Sequence, residues 1–193
     1  EGVRVPNGFA VTAPAYNYIL EYNKTWLLLH EALDGLDPDN IKDLQVCGIK
    51  ARAIALNCKL PDDLKSSVLR WYAQLKHEYG ADISLAVRSS ATAEDSPEAS
   101  FAGQNDSYLN ISGDEALLDV YQRCLVLNFT DRSIHYKYDN HFDLYNVHLS
   151  VVVMKMVRSG MGSSGVMFSL DTETSFNDLV FNNATLGSDE NIV

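Results

Sequence analysis

Residues 83–111, ISLAVRSSATAEDSPEASFAGQNDSYLNI, join two short extended runs through a long stretch of small residues. Ile83–Val87 is apolar with β-branched residues at its ends and reads as a buried strand, and Tyr108–Ile111 reads as a second. Residues 88–104, RSSATAEDSPEASFAGQ, lie between them. A strand that delivers Arg88 at its exit into such a loop is a workable phosphate cradle. The guanidinium offers forked donors, Ser89, Ser90, Thr92 and Ser100 add hydroxyls, and Gly103 lets backbone come close to a ligand. Loops of this makeup are common, and composition alone favours an exposed loop in which Arg88 pairs with Glu94 or Asp95.

Upstream, the pattern is helical. Pro6-Asn7-Gly8 breaks a short extended stretch, and Thr12 and Pro14 open a helix that runs through Tyr22. Thr25–Leu33 (TWLLLHEAL) reads as a second buried helix. Asp39 or Asn40 caps a third, which carries Ile41, Leu44, Ile49, Ala53 and Leu56. Leu64, Val68, Leu69, Trp71, Tyr72, Leu75 and Tyr79 form the apolar stripe of a fourth, closed by Gly80.

Downstream, Asp114 starts a helix to about Phe129, and Thr130 caps another through Tyr138. Val147–Val157 is a strong strand, Val166–Leu170 returns after Gly160, Gly162 and Gly165, and Leu179–Asn182 adds a third run. This predicts a meander with Gly-rich turns. Helices, strand, loop, strand, helices and then consecutive strands define a mixed α+β fold rather than a βαβ repeat.

Composition narrows the function. The 193 residues suit one domain or two small subdomains, and 46% hydrophobic content argues against disorder. With 26 acids against 15 bases, the net charge of −11 repels a nucleic-acid polyanion but leaves room for a local nucleotide site. Cys47, Cys58 and Cys124 form no CxxC pair and read as reduced thiols of a cytoplasmic protein. No apolar run is long enough for a membrane span, and no signal peptide is visible. The histidines lie in no HExxH pattern, and the acid pairs Glu94-Asp95 and Asp189-Glu190 read as solvated loops, so no metal-ligating set is assigned. Arg158–Gly165 (RSGMGSSG) lacks the Walker A lysine and reads as a plain hairpin loop.

Longer motifs are more specific. AVRSSATAEDSPEASFAGQNDSYLNISG (86–113), FTDRSIHYKYDNHFD (129–143), KMVRSGMGSSGVMFSLDTET (155–174) and VPNGFAVTAPAY (5–16) occur in family order over nearly the whole chain. Together they resemble the N-terminal nucleotide domain of phosphoenolpyruvate synthases (pyruvate, water dikinases). Pyruvate phosphate dikinases and rifampicin phosphotransferases share this type of domain, and a non-catalytic binding relative is a further alternative.

The resemblance implies an incomplete ATP-grasp-like domain. It also implies ATP and Mg2+ as cofactors, and a phosphotransferase that phosphorylates a histidine and then pyruvate on other domains, releasing AMP and phosphate. A homodimer of the parent is among the expected assemblies. Arg88 matches the arginine that contacts the nucleotide phosphates, Gly103 the glycine where backbone meets ATP, and Ser107 a position that is often threonine. Met154 stands where relatives usually place an ATP-contacting glutamine, and Asp189 where they have the second glycine of a GLGEN-like run. The family's early lysine is expected before Glu1, and its magnesium ligands beyond Val193. No catalytic residue is therefore assigned within the chain. The expected organisation is a helical part with the first strand and phosphate loop (1–106), then helices followed by antiparallel strands (107–193). The swivelling phosphohistidine domain and the C-terminal barrel are expected outside it.

Overall fold

A computed structural model describes residues 5–92, 95–96, 99–100, 107–170, 174, 176 and 178–187. The chain forms two compact units, Glu1–Met156 and Val157–Val193.

The first unit begins with strand β1 (Gly8–Val11) and four helices: α1 (Ala13–Tyr22), α2 (Trp26–Leu33), α3 (Ile41–Leu56) and α4 (Asp62–Tyr79). Strand β2 (Leu85–Ala91) follows, then the two-residue pair β3 (Asp95–Ser96) and β4 (Ala99–Ser100), and β5 (Ser107–Ile111). Helix α5 (Asp114–Val126), a 3-10 turn, α6 (Asp131–Asp139) and β6 (Leu149–Lys155) complete it. The second unit holds β7 (Ser163–Phe168) paired with β8 (Phe181–Leu186). The class is mixed α+β with antiparallel sheets, as the sequence pattern predicts.

Local chemistry sets several boundaries. The Asn40 side chain accepts from the backbone N–H groups of Lys42 and Asp43, and Thr130 accepts from Ser133, so both satisfy first-turn donors. Thr12 occupies the N-cap of α1 with extended backbone, but its hydroxyl makes no capping bond. Gly80, at φ +104°, ends α4 in a conformation that a side chain would strain.

The four strands β1-β6-β2-β5 form one sheet in that order, each pair antiparallel. Two expectations change here. Strand β2 does not stop at Val87. It continues to Ala91, because β6 offers a matching ladder from Leu85↔Lys155 to Ala91↔Leu149. That pairing overrides the weak strand propensity of Ser89 and Ser90, and Arg88 sits within the strand rather than at its exit. Nor do the late strands form a continuous meander. Strand β6 pairs with β1 and β2, whereas β7 pairs with β8.

Strand alternation gives the sheet two different faces. Leu85, Val87 and Ala91 of β2, Leu149, Val151 and Val153 of β6, and Val11 of β1 are buried in the core with the helices. The opposite positions are Ala10, Ala86, Arg88, Ser90, Ser150, Val152 and Met154. None of these belongs to the core cluster, and Arg88 is exposed. Ala10 is exposed as well, Ser90, Ser150, Val152 and Met154 are half-buried and Ala86 is buried, so this second face is open around Ala10 and Arg88.

Helix α3 packs unexpectedly. Ile41, Ile49 and Leu56 face solvent, and the buried stripe is Leu44, Gly48, Ala51 and Ala55. Small residues let this helix approach its neighbours closely. A Cβ on Gly48 would lie 2.5 Å from Asp131 Oδ1, the carboxylate paired with Arg52.

A polar network also crosses the core. Lys137 is 0% exposed, and its Nζ donates to the backbone and side-chain oxygens of Asn128 at 2.8 and 2.7 Å. Asn128 Nδ2 donates to the Tyr16 hydroxyl and to the Val147 carbonyl, both at 2.8 Å. The network ties α1, the 3-10 turn, α6 and the approach to β6. Burial pushes the Lys137 amine down from 10.5 to about 7, against the pull of Asp143.

Above pH 7 the folded chain therefore holds Lys137 neutral, while the unfolded chain keeps it protonated up to about its ordinary pKa. Stability should rise with pH between these limits and be lowest below the folded value. Urea denaturation at about pH 8 and about pH 9 is expected to show wild type gaining on Lys137→Met by roughly 1.4 kcal/mol per pH unit. Parallel profiles for the two proteins would contradict this.

Candidate functional site

The open face brings together three of the four residues that the sequence singled out. Arg88 lies in β2, directly opposite Val152 of β6 on one side and Ser107 of β5 on the other. Its Nε donates to Ser107 Oγ at 3.1 Å. Met154 pairs with Ala86 and is thus one diagonal step from Arg88 on the same face. Gly103 lies outside the described residues, as do Asp189, Glu94 and the side chain of Asp95.

The surroundings are chemically coherent. Ser90 and Ser150 are cross-strand partners, and Ser150 Oγ donates to the Ser90 carbonyl at 3.2 Å. Val152 and Met154 are half-buried and give the face an apolar strip beside the guanidinium. An exposed cation flanked by hydroxyls suits an anionic group, and the apolar strip suits a flat, weakly polar one. Thioether sulfur packs on a ring but donates no hydrogen bond.

Backbone closeness shapes the same face. Gly8 of β1 pairs with Met154, and a Cβ there would run into the Val153 carbonyl oxygen and approach Met154 Cα at 2.7 Å. Sequence reading missed this contact, although a glycine beside an extended run is a known sign of close backbone approach.

Other candidates resolve into structural roles. Within Arg158–Gly165, Ser159–Met161 form a 3-10 turn and Ser163–Gly165 are already paired with β8 as the start of β7, so the stretch is a turn leading into a strand rather than a hairpin loop. His30 and His135 each pair with the aspartate four residues on, at 3.2 and 2.9 Å. The Tyr145 hydroxyl donates to Asp34 at 2.6 Å and holds that carboxyl below its ordinary range. Burial raises the pKa of the Cys58 thiol, which makes it a poor nucleophile.

A cleft of about 540 Å³ lies on the helical side, lined by Tyr22, Lys59, Asp62, Lys65, Asp119 and Gln122 among others. It contains none of the sequence-predicted residues. Lys65 is paired with Asp62, and Asp119 adds a second carboxylate, so this is a poor home for a polyphosphate.

Among the described residues, no group of three or more His, Cys, Asp or Glu side chains comes together to hold a metal. No helix among them is long and apolar enough to cross a membrane.

An exposed arginine beside strand hydroxyls, on one face of an antiparallel sheet, is chemically suited to an anionic ligand. Comparison with known proteins gives the family. Residues 1–193 match the family described as "Pyruvate phosphate dikinase, AMP/ATP-binding domain", and the chain belongs to it. It is 46% identical to phosphoenolpyruvate synthase of Aquifex aeolicus and 45% identical to that of Helicobacter pylori, each over 193 residues and all of this chain. It is also 38% identical, over 193 residues, to rifampicin phosphotransferase of Bacillus subtilis. The chain spans 22%, 24% and 22% of the lengths of these three relatives. It is therefore homologous to the ATP-binding part of phosphoenolpyruvate-synthase-like dikinases.

Gly8→Ala tests whether the β1–β6 approach is as close as described. Overpacking of this kind costs about 1–3 kcal/mol. Urea denaturation should show a lower midpoint, and an unchanged midpoint would mean that β1 sits further from β6.

Proposed function

We propose that this chain is the ATP-binding portion of a dikinase and that ATP lies on the open face of the β1-β6-β2-β5 sheet. Arg88 contacts the phosphates, the Gly103 backbone and the Ser107 hydroxyl meet the nucleotide, and Met154 packs against the purine. The observation that carries this reading is Arg88: an exposed guanidinium in the body of β2, beside Ser107, in a chain of the AMP/ATP-binding family.

The chemistry suits that residue. Phosphoryl transfer needs positioning and neutralisation of the charge that spreads over phosphate oxygens, more than it needs covalent help. A guanidinium supplies both through forked donors. The fold is read as the ATP-grasp type. Magnesium is expected to arrive with the nucleotide, held by its phosphates and by ligands expected outside this chain.

The whole protein is read as a cytoplasmic pyruvate, water dikinase. ATP phosphorylates a histidine elsewhere in the polypeptide, and the phosphohistidine then makes phosphoenolpyruvate from pyruvate, with AMP and phosphate as the other products. The higher identities to the two phosphoenolpyruvate synthases favour pyruvate over rifampicin as acceptor. These 193 residues, which span 22% and 24% of the two phosphoenolpyruvate synthases, are expected on their own to complete no catalytic cycle.

The test uses the full-length protein. Pyruvate-dependent formation of AMP and phosphoenolpyruvate from ATP is expected. Arg88→Ala should reduce ATP-dependent histidine phosphorylation by at least about a hundredfold, the scale of losing one preorganised charge-stabilising donor. Its melting temperature should stay within about 2 °C of wild type, because the side chain is exposed. AMP formation that depends on rifampicin and not on pyruvate would overturn the acceptor. Undiminished phosphorylation in Arg88→Ala would remove that residue from the site.

A further inference from the structure

Helix α3 carries two apolar stripes, and the core buries only one of them. Leu44, Gly48, Ala51 and Ala55 are buried where α3 packs against α2, α5 and α6. On the opposite side lie Val46, Ile49, Ala53 and Leu56, all exposed, with Val46, Ile49 and Leu56 at 50%, 60% and 51%. We infer that this outer stripe of α3 is a docking seam for an amphipathic helix with acidic flanks, supplied by a part of the full-length polypeptide outside these 193 residues.

Shape comes first. Val46, Ile49, Ala53 and Leu56 alternate steps of three and four residues, the spacing of a coiled-coil seam. At about 1.5 Å per residue the seam runs for about 15 Å along the helix. A helix apolar on both sides is one that is covered on both sides, since an exposed row of large aliphatic side chains gains nothing from water. Nor does the seam end on a flat surface. Leu56 also lines the cleft of about 540 Å³, together with Tyr22 and Leu118. A docked helix therefore finds a recess for a large apolar side chain where the seam ends.

Charge then selects the occupant. The chain as a whole is acidic, at −11, yet the exposed charged side chains of α3 are Lys42 and Lys50. Lys42 continues the seam four residues before Val46, and Lys50 flanks it. The acid of this helix, Asp43, is half-buried and accepts from the Asp37 N–H at 2.9 Å. A lysine in the first turn opposes the helix dipole, so Lys42 does not serve its own helix. A second copy of this chain would set lysines against lysines, whereas carboxylates beside an apolar stripe would complement them. The relatives favour a source in the same polypeptide: the chain spans 22% and 24% of the two phosphoenolpyruvate synthases, so most of each lies outside the matched part. Helix α3 belongs to the layer on the core side of the sheet, opposite Arg88, and the seam goes beyond the ATP reading without depending on it.

Photocrosslinking in the full-length protein tests the inference. Benzoylphenylalanine replaces Ile49 in one variant and Gln45, an exposed polar position beside the seam, in another. Irradiation should give an intramolecular crosslink from both positions. Peptide mapping should place it on a helix with apolar residues at three-four spacing and Asp or Glu beside them. Lys42→Glu with Lys50→Glu should lower the yield at least about fivefold, while Lys42→Arg with Lys50→Arg should keep it within about twofold, because the first pair reverses the charges and the second preserves them. Raising the salt from about 0.05 M to about 0.5 M should also lower the yield with the native lysines. Crosslinks that join two copies, recognised by mixing light and isotopically heavy protein, would make the seam a homodimer surface and overturn the proposal. No crosslink from either position, in variants whose urea midpoint matches wild type, would leave the seam in water and overturn it too. A yield that ignores charge reversal would rule out the acidic occupant. None of these readouts uses ATP turnover, so loss of the ATP reading would leave them unchanged.

Discussion

Strand β6 is hydrogen-bonded on both sides, to β1 from Val11↔Val151 to Gly8↔Met154 and to β2 along all seven of its residues from Leu149 to Lys155. Because successive residues of a strand point to opposite faces, this one segment divides the sheet into two chemistries. Leu149, Val151 and Val153 are packed into the helical core, while Ser150, Val152 and Met154 are left on the other side. The pairing with β2 then fixes Arg88 on that second face, opposite Val152. A one-residue slip of register would bury the guanidinium and expose Val87, at a cost the core would not bear. The placement of the candidate phosphate-binding cation is thus a consequence of apolar burial on the far side of the sheet.

The rest of the first unit supports that central strand. Helices cover its core face, and Gly8 allows β1 to close against it. The Tyr16–Asn128–Lys137 network fastens α1 and α6 to the residues just before β6, through the Val147 carbonyl. Burying a lysine without a carboxylate in hydrogen-bond contact is expensive. The depressed pKa of Lys137 shows how the fold meets that cost, by favouring the neutral amine.

Much of this was legible in the sequence, and the failures have physical causes. Helices α1, α3 and α4 announce themselves through Pro14, Asn40 and Gly80, because capping and apolar periodicity are local signals. The continuation of β2 through Ser89 to Ala91 was not legible, since it depends on pairing with β6 about sixty residues away. For the same reason the expected meander dissolved: Val147–Val157 reads as a strand, but nothing local says which strands it joins. On α3 the conspicuous residues Ile41, Ile49 and Leu56 misled, and the packed face is Leu44, Gly48, Ala51 and Ala55. By composition Arg88 reads only as an ambiguous loop arginine, and its assignment to the nucleotide phosphates rests on the resemblance carried by the longer motifs. Its contact with Ser107, 19 residues on, needed the sheet register. Lys137 gave no signal at all, because a lysine in a helix reads as solvated until burial shows otherwise.

The central claim is that the open face of the sheet, with Arg88 at its middle, is where the ATP phosphates lie. A crystal structure of the full-length protein with magnesium and a non-hydrolysable ATP analogue addresses it most directly. The account predicts phosphate oxygens within about 3.2 Å of the terminal nitrogens of Arg88, with Nε still on Ser107. A triphosphate bound elsewhere, with Arg88 turned to solvent, would contradict it.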